Sequence, residues 1–80
     1  MITAYVADGC PHCRALLADL DRRRVLHTVV DLSATPERWA EVARLTWGRR
    51  LPIVVDHERV SVGFAGGSSA LAELGLDTLP

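Results

Sequence analysis

Two cysteines separated by two residues, Cys10-Pro11-His12-Cys13, stand where an apolar run gives way to a helical pattern. The run, Ile2-Thr3-Ala4-Tyr5-Val6, is partly β-branched and stops at Asp8-Gly9, which reads as a buried strand followed by a tight turn. Pro11 opens the helix without losing a hydrogen bond, because the first helical N–H has no partner in any case. Counted from Cys13, Leu16, Leu17 and Leu20 fall three, four and seven places along, on one face. A chain that begins this way lays a helix against a sheet and puts the cysteine pair at the start of that helix.

The remaining elements follow from pattern and punctuation. Arg22, Arg23 and Arg24 close the helix, where cations complement the negative end of the helix dipole. Val25 to Leu32 is rich in β-branched residues and reads as a second strand, with His27 inside it as a packing or solvent-facing position. A second helix is expected from Thr35-Pro36 to Gly48, carrying Trp39, Val42, Ala43 and Thr46 at helical spacing. Trp39 reads as core, and Trp47 as a surface aromatic near the face that carries the cysteines. Leu51-Pro52-Ile53-Val54-Val55 and Arg59-Val60-Ser61-Val62 flank Asp56-His57-Glu58, the pattern of an antiparallel hairpin. Gly66-Gly67-Ser68-Ser69 then caps a short final helix, Ala70 to Leu74. Right-handed crossovers in the first half and a hairpin in the second predict a single α/β domain over residues 1–80, a four-stranded mixed sheet flanked by three helices.

Composition narrows the function. A chain of 80 residues supports one core. A formal net charge of -1 gives no electrostatic reason to bind nucleic acid or an acidic membrane. The first residues lack the basic start and long apolar run of a secretory signal, and no apolar stretch approaches a membrane span, so a cytoplasmic location is expected; a monomer is expected as well. Two cysteines are too few for a disulfide framework, which leaves reactivity, metal binding or burial.

Position favours reactivity. At a helix N-terminus, unpaired N–H groups and the dipole stabilise a thiolate, and thiol pKa values in such motifs fall to roughly 3.5 to 7.5. Cys10 is therefore the expected nucleophile. Cys13, on the face shared with Leu17 and Leu20, is expected to be less exposed and to resolve a mixed disulfide. A protonated His12 beside the thiolate would favour the ionised dithiol and make the disulfide more oxidising, while the Asp8 carboxylate opposes it. Structural zinc takes four ligands, and the pair supplies only two, with His27 and His57 dispersed elsewhere.

The pair after the first strand, Pro52 preceded by Leu51 at the third strand, and Gly63 with Phe64 eleven and twelve residues after Pro52 together resemble the glutaredoxin branch of the thioredoxin fold. The resemblance covers nearly the whole chain. It implies a dithiol-disulfide oxidoreductase acting on protein disulfides or glutathione mixed disulfides, with no tightly bound cofactor and glutathione as co-substrate. It also implies a cis Leu51–Pro52 bond that sets the Leu51 backbone beside the sulfurs, where an extended substrate segment could pair. Gly63-Phe64 at this spacing also resembles glutaredoxin-like redoxins that take electrons from thioredoxin reductase and supply ribonucleotide reductase, the runner-up for the electron source. A third class, a carrier holding an iron-sulfur cluster on Cys10 and glutathione between two protomers, is disfavoured by Pro11. The tetrapeptide alone also resembles that of the periplasmic disulfide oxidases, which are larger and exported.

Departures bear on glutathione. Many glutaredoxins place a lysine three residues before the first cysteine, where this chain has Ala7. Val62 replaces the first glycine of the family's Gly-Gly turn, Ala65-Gly66 follows Phe64, and Gly66-Gly67-Ser68-Ser69 arrives about four residues late. Arg49 and Arg50, just before Leu51-Pro52, are the candidate cations to hold a carboxylate instead. Glutathione is therefore expected to bind more weakly than in typical members.

Overall fold

The computed structural model of the chain describes residues 1–46, 48–76 and 78–79, so the expectation for Trp47 lies outside the described residues. Strand β1 (Ile2–Val6) leads into helix α1 (Pro11–Arg22) and back to β2 (His27–Asp31). A 3-10 segment (Pro36–Glu41) precedes β3 (Arg50–Leu51), β4 (Ile53–Val55), β5 (Val60–Val62) and β6 (Ser69–Ala70), and a second 3-10 turn (Leu71–Leu74) follows.

The expected four-stranded mixed sheet is present, in the order β2-β1-β4-β5. β1 pairs parallel with β2, Ala4 opposite Val29, and antiparallel with β4, Ala4 opposite Val54. The hairpin is also present: β4 and β5 pair antiparallel. Asp56 closes the turn, its Oδ1 accepting the N–H groups of Glu58 and Arg59 at 2.7 and 2.6 Å, as Asx turns do. Cys13, Leu16 and Leu20 are the buried face of α1 and join Ala4, Val30, Leu32, Trp39, Leu51 and Ile53 in one core. Burying each large aliphatic side chain contributes about 1.5–3 kcal/mol.

The helices depart from expectation. Only α1 is an α-helix among the described residues. The second expected helix, from Thr35 to Gly48, is reduced to the 3-10 segment and a series of turns, with Arg38, Val42 and Leu45 donating to the carbonyls three residues earlier. Trp39 and Val42 are buried three residues apart, a spacing that 3-10 geometry satisfies as well as α geometry, and the β-branched Val42 and Thr46 add little helix propensity. The final helix is likewise a single 3-10 turn, Leu71–Leu74.

The expected third strand is divided. Pro52 has no N–H to give a ladder, and the segment changes partner there: Arg50–Leu51 pairs with Ser69–Ala70, whereas Ile53–Val55 joins the main sheet. Gly66-Gly67-Ser68-Ser69 is consequently no helix cap. Gly66 and Gly67 lie in a turn, Ser69 in β6, and Ala70 caps the last 3-10 turn, its N–H reaching Glu73 Oε1 at 3.4 Å. Among the described residues no helix is long and apolar enough to cross a membrane.

Candidate active site

Cys10 is the N-cap of α1, with extended backbone at φ -94° and ψ 104°. Its Sγ accepts the N–H of Cys13 at 3.1 Å, and its carbonyl accepts that of Arg14 at 3.2 Å. One of the four orphan donors at the helix start is thus aimed at sulfur, the atom that carries negative charge in the thiolate. Pro11 follows because its ring suits the first helical position, and the one-turn spacing brings Cys13 back beside Cys10, the Cα atoms 5.2 Å apart. The two sulfurs form a disulfide.

Exposure does not separate the two thiols as expected. Cys10 is 0% exposed and Cys13 1%, because the β1–α1 loop folds both into the core. Cys13 also lines a hollow of about 290 Å³ beside Ala7, Asp8, Arg14, Leu17 and Val29. What distinguishes the two cysteines is the N–H aimed at Cys10 on one side and the hollow at Cys13 on the other.

The Leu51–Pro52 bond is cis and both residues are buried. The Pro52 carbonyl accepts the N–H of Gly63 at 2.7 Å, which ties the hairpin's exit to the proline. Gly63 has φ 93°, and a Cβ there would come within 2.9 Å of the Gly67 carbonyl oxygen. Phe64 and Gly67 then exchange N–H to carbonyl bonds of 2.8 and 2.9 Å around Ala65 and Gly66, both at positive φ, as in a type I′ turn. The His12 imidazole lies against Gly67. The segment from Val62 to Ser68 lines a second hollow of about 290 Å³.

The Leu51 backbone is opposite Ser69 of this same chain, so a substrate segment adding at that edge would have to displace β6. The arginines are engaged too. Arg50 donates from Nε to Ser68 Oγ at 2.6 Å and from Nη2 to the Ser68 carbonyl at 3.1 Å. Arg49 donates to the Leu79 carbonyl at 2.7 Å and stacks on Trp39, 5.7 Å from the ring centroid. Both guanidiniums thus serve intrachain contacts. Ala7 is 7% exposed, and Asp8 is exposed with its N–H on Ser33 Oγ at 2.9 Å. Sequence reasoning missed the β6 contact and the His12–Gly67 contact: a two-residue strand has no period to read, and only the doubled glycine marked the second.

The glutaredoxin family model matches residues 2–60, from β1 into β5 and across the cysteine pair and the cis-proline. The chain belongs to the glutaredoxin family. As a family member it is a thiol-disulfide oxidoreductase whose redox-active groups are the Cys10–Cys13 pair. Its fold is similar to the crystal structure of a glutaredoxin from Archaeoglobus fulgidus, with a TM-score of 0.64 at 23% identity over 79% of this chain and 74% of that one. No curated protein matches the chain.

Proposed function

We propose that Cys10 is the attacking thiolate and Cys13 the resolving thiol, a reading carried by the Cys13 N–H donated to Cys10 Sγ at 3.1 Å. The thiolate attacks one sulfur of a substrate disulfide, forming a mixed disulfide and expelling the other sulfur as a thiolate. Cys13, having lost its proton to solvent, attacks the Cys10 sulfur; the second substrate thiolate leaves, and the Cys10–Cys13 disulfide remains. Two electrons from a reductant reset the pair. His12, between the cysteines, tunes the exchange: a cation or donor near the thiolate favours the dithiol and makes the disulfide more oxidising.

The substrates are protein disulfides, and glutathione is a poor donor. Ala7 offers no cation, Arg50 is held by Ser68, and Arg49 by Leu79 and Trp39. A charge-assisted hydrogen bond contributes roughly 1.5–3 kcal/mol, so one missing anchor weakens affinity about tenfold or more. The same observations favour thioredoxin reductase as donor, in keeping with Gly63-Phe64 and with a role in supplying ribonucleotide reductase. Turnover of one protein disulfide with glutathione plus glutathione reductase, and separately with thioredoxin reductase, tests the reading. Faster turnover with thioredoxin reductase is expected. Saturation at low glutathione with little reductase-dependent turnover would overturn it.

A further inference from the structure

Gly66 and Gly67 are adjacent, yet different constraints reserve them for glycine. Gly66 sits at φ 81°, in the left-handed region that other residues enter with strain. Gly67 is not among the positive-φ residues, so its backbone accepts any L side chain. What excludes a side chain there is His12: a Cβ on Gly67 would overlap the imidazole, coming within 2.6 Å of Nδ1. The turn is pinned by the paired bonds between Phe64 and Gly67 and, through Gly63, by the Pro52 carbonyl. Among the described residues the half-buried imidazole makes no hydrogen bond or ion pair, so packing alone holds it. When the two compete for space, the ring moves and the turn stays.

We propose that Gly67 is a positioning residue for thiol-disulfide exchange. Its bare backbone leaves the space that the ring of His12, the residue before Cys13, occupies, and a side chain at 67 turns the ring away and shifts the dithiol–disulfide equilibrium as removing the ring does. The inference rests on the reading of His12 as the residue that tunes the pair. It also explains why the 64–67 turn carries a second glycine that its backbone does not need.

Gly67→Ala and His12→Ala, singly and combined, are equilibrated in a glutathione redox buffer, and the Cε1–H resonance of His12 is followed by NMR. Both single variants should make the disulfide less oxidising, and the double variant should match His12→Ala. For this couple a tenfold change in equilibrium constant corresponds to about 30 mV. The His12 resonance should move in Gly67→Ala while those of His27 and His57 stay. Gly67→Ser, which carries the same Cβ, should repeat the result. A Gly67→Ala shift of equal size in the His12→Ala background, or no shift where His12→Ala gives one, would overturn the inference. If His12→Ala itself leaves the equilibrium unchanged, the tuning role and the predicted shift both fall; an unmoved resonance would overturn the ring placement as well.

Discussion

Tyr5 lies 6% exposed in β1 and donates its phenol O–H to Glu41 Oε1 at 2.7 Å, while Arg38 grips the same carboxylate through bonds of 2.8 and 3.1 Å. Burial, with the hydrogen bond to Glu41, pushes the phenol from 10.0 up to about 12. The hydrogen bonds from Arg38 and then Tyr5 hold Glu41 below the ordinary carboxylate value of 4.5. A raised phenol pKa contributes stability that is intact below pH 10.0 and lost as pH rises toward about 12. A lowered carboxylate pKa contributes stability that is present above pH 4.5 and lost as pH falls through the folded value. Tyr5 is the chain's single tyrosine, so phenolate absorbance against pH reports it alone. The expected midpoint is near 12 and falls part of the way toward 10 in Glu41→Ala, which removes the acceptor and leaves the ring in the sheet; a midpoint near 10 in the parent would contradict both the burial and the contact. None of this was legible in the sequence, because Tyr5 and Glu41 stand 36 residues apart and only the fold brings them together. The cysteines were legible because their chemistry depends on local position. The intrachain acceptors of Arg49 and Arg50 are not legible in the sequence, because Leu79 and Ser68 stand 30 and 18 residues away.

At the end of α1, the N–H of Val25 bonds to the Leu20 carbonyl at 2.9 Å and that of Arg24 to the Asp21 carbonyl at 3.1 Å, the pair of bonds that makes a Schellman motif. The position that glycine ordinarily fills in this motif is Arg24, at φ 56°. Arg24→Gly should therefore stabilise the chain by about 1 kcal/mol, read as a higher urea midpoint at unchanged slope. A lower midpoint would mean that Arg24 contributes more through its side chain than it loses through its backbone. The helix end is legible from Arg22-Arg23-Arg24 although no glycine marks it, because cations complement the dipole there; the pairing of Arg22 and Arg23 with Asp19 one turn back is what the structure adds. The second and third expected helices failed for the opposite reason: their apolar spacing was right, but spacing at three residues does not distinguish an α-helix from a 3-10 turn. β3 and β6 were invisible, since each has two residues and Pro52 hides the change of partner within one apolar run.

For the whole molecule, cover over the sheet falls away toward β5, whose three residues are all exposed. Tyr5, Ile53 and Val62 stand in cross-strand register, and Tyr5 bonds to the 3-10 segment, yet Val62 at the sheet edge is 44% exposed. The topology of the main sheet was nonetheless legible, because crossover handedness and the hairpin signal do not depend on how fully each helix forms. What the assembly delivers to the site is a dipole and one aimed N–H at Cys10, and a hollow at Cys13. These make opposite predictions about which sulfur meets the substrate. Intact-mass and peptide mapping of Cys10→Ser and Cys13→Ser, each incubated with a peptide disulfide, decides between them. A stable mixed disulfide is expected at Cys10 in Cys13→Ser, with little adduct at Cys13 in Cys10→Ser; faster adduct formation at Cys13 would make Cys13 the nucleophile and Cys10 the resolving thiol.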